Sequence, residues 1–202
     1  YDEYMGIDTK RIVGGGKTVK LKCDYRCQKQ HVEAGPIPEL FLRSTSANLE
    51  KSPIPLGLYL VSDYPISESN LLTGVQGEKF EEIKQDKQPR FFYDVDTERY
   101  IAMFPDFASA PACVSCHNEH PSTPKTDWKL NDIMGATTWS FPRDSLTSRE
   151  LISWVSAYNE SAKASYASYL EKTKAFIDTD QPEIGAKWPA EGYFLPNVET
   201  FS

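Results

Sequence analysis

The spacing of apolar positions changes several times along this chain, and each change marks an element. Residues 18–33 carry a helical pattern that Gly35-Pro36-Ile37-Pro38 breaks. A second helix is predicted over 38–50, with Leu40, Phe41, Ser44, Ala47 and Asn48 at helical intervals. The run LGLYLV at 56–61 reads as a strand, and 62–70, rich in turn formers, as a loop. Phe80 and Ile83 share one side of a short helix at 77–86. Strands follow at 90–95 and 99–104, joined by an Asp96-Thr97-Glu98 turn, and alternation over 133–141 marks another.

Beyond Pro142 the character shifts. Thr147-Ser148-Arg149-Glu150 is a capping box, after which Leu151, Trp154, Val155, Tyr158, Ala162, Tyr166, Tyr169 and Leu170 recur at steps of three and four. One helix running to residue 177 would span about 45 Å. The tail from Asp178, with Trp188, Tyr193, Phe194 and Phe201 among prolines and glycines, reads as an extended arm. The order of elements is that of an α+β fold around an antiparallel sheet. The chain divides into an N-terminal segment and helix at 1–35, a central domain at 36–142, and a C-terminal helix with its aromatic arm at 143–202.

At 202 residues, 40% of them hydrophobic, the chain can bury a core, and a net charge of -7 argues against a nucleic-acid partner. No apolar run approaches the ~18–20 residues that a membrane span needs. The first residue is Tyr1 rather than a methionine, so a mature or trimmed product is expected. Gly14-Gly15-Gly16-Lys17-Thr18 resembles the end of a phosphate-binding loop, but the motif's first glycine would fall on Arg11, which rejects nucleotide binding.

Four cysteines in a chain of this size do not make a disulfide framework, so each pair is read for its chemistry. Cys113-Val114-Ser115-Cys116-His117 matches C-x-x-C-H, the attachment pattern of haem c. Two thiols three positions apart can add to the two vinyl groups of one porphyrin, and the next residue, a histidine, then lies beneath the iron. Random placement gives this pattern in on the order of one such chain per thousand. The competing readings are a redox C-x-x-C, which lacks a flanking β-α-β pattern, and half of a zinc site completed by Cys23, Cys27 or His31.

The iron's sixth ligand has few candidates. On a helix over 18–33, Cys23, Cys27 and His31 fall at i, i+4 and i+8, roughly on one face. The order of preference is His31, then Cys27, then Cys23, with Met103 and Met134 behind as residues of predicted strands. A Cys23–Cys27 disulfide competes with a ligand face; an ideal helix holds those Cβ atoms too far apart, so a distorted helix would favour the bridge. His120 is expected to hydrogen-bond a haem propionate or its own loop, and Lys125, Trp128 and Arg90 are candidate propionate or edge contacts.

Residues Arg90 to Phe141 carry a family likeness: Cys113 to His117 followed by Asn118-Glu119-His120-Pro121, then Pro124-Lys125-Thr126-Asp127-Trp128 and Asp132-Ile133-Met134-Gly135, with LYLVSDYP at 58–65 upstream. These resemble the PAS-like monohaem c domains, which occur as extracytoplasmic sensory portions of bacterial cyclases and kinases and as freestanding cytochromes. The likeness covers 36–142. It implies a PAS-like antiparallel sheet with one covalent haem c between sheet and helices, Cys113 and Cys116 as attachment thiols and His117 as proximal ligand. A freestanding relative takes its distal cysteine from a helix before the first strand, and that place falls near His31 here.

Two functions follow as expectations: electron transfer with a redox partner protein or complex, or a haem-based redox or gas sensor. The absence of an output domain in this sequence tilts the reading to electron transfer. The C-terminal helix and arm either pack on their own domain or dock a partner. No catalytic Ser/His/Asp arrangement is identifiable, so no enzyme is expected, and haem c attachment implies a periplasmic or otherwise exported location.

Overall fold

A computed structural model describes residues 35–36, 38–176, 181–185, 187–188 and 194–201. The expected helix over 18–33, with Cys23, Cys27 and His31, lies outside them. The chain forms two compact units, one of residues 53–152 and one that joins residues up to Ser52 with those from Ser153 onward.

In the unit of residues 53–152, strands β1 (Gly57–Val61), β2 (Arg90–Asp94), β3 (Arg99–Phe107) and β4 (Ile133–Phe141) form one antiparallel sheet in the order β1-β4-β3-β2. The α+β class and the PAS-like antiparallel sheet flanked by helices, expected from pattern and resemblance, are what the structure has. β4 keeps the predicted bounds, while β3 runs three residues past the predicted 104 because β4 is long enough to pair with it through Phe107. The register shifts between Asp106 and Phe107, where a bulge ends the regular ladder.

Helix α1 (Pro38–Leu49) precedes the sheet, and helix α2 (Gly74–Asp86) covers one sheet face. α2 starts three residues before its predicted position. The Gln76 side chain donates 2.8 Å to the buried Asp94 at the end of β2, an anchor that a glycine-rich start does not advertise. Phe80 and Ile83 of α2 are fully buried with Ile101, Met103 and Ala136 of the sheet. Each of the four larger side chains stabilises the fold by about 1.5–3 kcal/mol.

In the other unit α1, which the sequence reading groups with the sheet, packs with the long helix α4 (Ser148–Thr173), the short cysteine-bearing helix α3 (Pro111–Glu119) lying between them in the chain. Small residues permit the close approach: Ser161 and Ser165 are buried, and Asn48 Nδ2 donates 3.0 Å to Ser165 Oγ. α4 ends before the predicted 177, because the next three residues close tighter i→i+3 turns. The described part of the tail forms two short parallel strands, β5 (Glu183–Ile184) and β6 (Phe194–Leu195), and a last turn of helix, α5 (Val198–Phe201). Phe201 finds a surface on α4, stacking on Tyr166 at 4.1 Å, and Tyr166 Oη donates 2.8 Å to the Pro196 carbonyl. Leu151 and Val155, at the start of the predicted stripe, are exposed, while Trp154 between them is buried. Among the described residues no helix is long and apolar enough to cross a membrane.

The capping box is reciprocal, with Thr147 N–H donating 2.9 Å to Glu150 Oε2 and Glu150 N–H donating 3.3 Å to Thr147 Oγ1. The Thr147 backbone N–H, then Arg143 and the Thr147 hydroxyl, hold the Glu150 carboxyl down to about 2. The folded state therefore favours its charged form, and this stability is complete above the ordinary 4.5 and lost as pH falls toward 2. Denaturant unfolding of Glu150→Gln is expected to show a shallower loss of stability across that acid window than the native chain. Gly135→Ala is expected to cost about 3 kcal/mol. An added Cβ would press into the Val61 backbone oxygen, which the β1–β4 ladder holds in place; thermal unfolding measures the loss.

Candidate functional site

The C-x-x-C-H motif forms helix α3 (Pro111–Glu119) in the connection between β3 and β4. Pro111 occupies the first turn, where its missing N–H costs nothing. The helix stops at His120, whose backbone is extended because Pro121 follows and disfavours the helical conformation. Cys113, Cys116 and His117 thus stand at i, i+3 and i+4, on one side of a helix of nine residues. All three are half-buried, and neither cysteine is joined in a disulfide.

One side chain ties this helix to the rest of the connection. Asn118 Oδ1 accepts the Trp128 N–H at 2.9 Å while its Nδ2 donates 3.0 Å to the Trp128 carbonyl. Trp128, only 6% exposed, packs with Ala108 and Met134, and Cys113 and Val114 lie against that cluster. Its indole N–H is buried without a hydrogen-bond partner. Asn118 was part of the family likeness but had no assigned role, since a bond spanning ten residues leaves no periodic signal.

The other predicted site residues sort as follows. Lys125 lies 4.8 Å from the centre of the Trp128 ring and 5.7 Å from that of Tyr64, whose ring meets Trp128 edge-on at 6.1 Å. It pairs with Asp127, which raises the lysine's pKa and lowers the carboxyl's. His120 is bonded within its own loop, its Nδ1 accepting the Ser122 N–H at 3.1 Å and its carbonyl accepting from the Thr123 N–H. Arg90 is held by α2, with Nε 2.8 Å from Glu82 and a terminal nitrogen 2.7 Å from Asp86, and is not in the cluster around Trp128. Met103 is fully buried beneath Phe80 and Ile83, whereas Met134 belongs to the Trp128 cluster. Among the described residues no three His, Cys, Asp or Glu side chains gather as a metal site. A cleft of about 280 Å³ lined by Lys84, Lys87, Trp128, Asn131, Asp132 and Ile133 falls below the usual range of small-molecule pockets.

Fold and site together define a PAS-like α+β sheet domain that presents a C-x-x-C-H helix from its β3–β4 connection. The chain belongs to the Tll0287-like family, whose model matches residues 19–142. That span reaches back past residue 36 to include Cys23, Cys27 and His31. A solved structure, the cyanobacterial heme-protein Tll0287, aligns over 71% of this chain and 92% of its own, with 12% identity and a TM-score of 0.43. No curated protein matches the chain.

Asn118→Ala is expected to cost about 2 kcal/mol, two partly buried hydrogen bonds being lost together. Hydrogen exchange at the Trp128 amide should accelerate correspondingly, while amides of β4 beyond Ala136 keep their protection.

Proposed function

We propose that this chain is an exported c-type monohaem protein that transfers electrons, free or as a subunit of a larger complex. Cys113 and Cys116 hold the haem through thioether bonds and His117 is the proximal ligand. The observation that carries this reading is α3, which sets these three side chains on one helix side and leaves both cysteines outside any disulfide. Membership of a family that bears the name of a heme protein supports it.

The surroundings fit such a group. The buried, unpaired indole N–H of Trp128 beside Cys113 offers a donor for a propionate, and Lys125 adds a positive charge near the same ring. When bound, the iron supplies one-electron chemistry, its potential set by the axial ligands and by burial. Trp128, Val114 and Met134 exclude water on the Cys113 side. The distal ligand is assigned to His31, then Cys27, then Cys23. Met103, enclosed in the sheet core, ranks last, behind Met134. The chain acts as a carrier rather than an enzyme.

Optical and electron paramagnetic resonance spectra of the haem-loaded chain, with and without carbon monoxide, test the function. Electron transfer predicts low-spin iron that does not bind carbon monoxide, and a thiolate-type signal would move the distal ligand from His31 to Cys27. High-spin iron or ready binding of carbon monoxide would overturn it in favour of a haem-based sensor. Covalent attachment is checked separately: acidified acetone should extract haem from Cys113→Ala/Cys116→Ala but leave it on the native chain.

A further inference from the structure

Asn118 follows His117 directly, in the last turn of α3. Its carboxamide spends both polar atoms on one residue, Oδ1 accepting the Trp128 backbone N–H and Nδ2 donating to the Trp128 carbonyl. A side-chain amide paired in this way holds a backbone as a neighbouring strand would, because Trp128 cannot slide or turn against α3 without losing a bond. Residues 120–127, which join the two, form no helix or strand, so no regular element sets that spacing. The Trp128 side chain in turn is buried with Ala108 and Met134, lies in one cluster with Cys113, and carries a buried indole N–H without a partner. A buried donor of this kind is costly unless an acceptor is brought to it.

We propose that Asn118 is a positioning residue for the haem, acting through the Trp128 backbone to hold the indole, ring and N–H together, against the group bonded at Cys113. This role rests on the haem reading above. Asn118 and Cys113 belong to one helix, and Trp128 is bonded to the first and packed beside the second. The clasp therefore ties the wall beside the attachment thiol to the helix that carries the thiol, and the wall keeps its place relative to the haem whatever the loop between them does. Packing alone would leave the indole free to shift along Met134, because apolar contacts carry no direction. Two hydrogen bonds with fixed donor and acceptor supply that direction.

Nuclear magnetic resonance of the haem-loaded chain tests this, Trp128→Phe identifying the Trp128 indole signal among those of the four tryptophans and circular dichroism checking the fold. In the native chain that signal should move between the reduced and oxidised states, since the unpaired electron of ferric iron shifts nearby protons, and its N–H should exchange slowly with solvent. Asn118→Ala should change the redox-dependent shift and speed the exchange at least about tenfold. Asn118→Gln, which keeps the carboxamide on a stem one methylene longer, should lie closer to the native chain in both readings. A lower melting temperature with an unmoved indole signal would mean that the clasp only stabilises the fold, and would overturn the proposal. So would an Asn118→Gln chain no closer to native than Asn118→Ala. A native chain from which acidified acetone extracts all haem would overturn the haem reading itself, and this role with it.

Discussion

The segment that carries the cysteines is closed at its base by the end of the β3–β4 ladder. Past the bulge, Ala108 N–H donates 2.8 Å to the Asp132 carbonyl and Asn131 N–H donates 3.0 Å to that of Ala108. The connection leaves and re-enters the sheet at one place, so its chain must fold back on itself. α3 is the outward limb, and Asn118 clasps the returning limb at Trp128. Without the ladder, the amide clasp would have to overcome the closure entropy of a long loop unaided.

The order imposed by that base reaches the chemistry through packing. Trp128 lies against Met134, a residue of β4, so sheet position sets the wall beside Cys113. Ser62 Oγ donates 2.6 Å to the Met134 carbonyl and accepts from Tyr64 N–H, which brings the Tyr64 ring to the edge of Trp128. Lys125 sits near both rings with Asp127 as counter-ion. One ammonium beside two aromatic faces is a modest interaction in water and stronger where a neighbouring group displaces solvent.

The two units stabilise themselves differently. The sheet unit relies on large apolar side chains between α2 and the strands. The helical unit joins a tyrosine-lined cluster to a polar seam in which Thr45, Asn48, Ser161 and Ser165 satisfy one another or nearby carbonyls. Such a seam specifies one register, because sliding the helices would strand buried hydroxyls.

The features legible in the sequence are those encoded within a few residues. The C-x-x-C-H spacing, the capping box at 147–150 and the alternation over 133–141 depend on covalent neighbours, and the structure keeps them all. Elements whose ends depend on distant partners shifted: α2 begins early through Gln76 and Asp94, and β3 runs long because β4 is there to pair with it. Tertiary structure also decided which of two similar residues has access to the site, since Met103 and Met134 differ not in kind but in where their strands lie. It committed Arg90 to Glu82 and Asp86 and gave Asn118 its role. A local pattern determines which side chains share a helix face, but partners far apart in sequence are chosen by the sheet that brings them together.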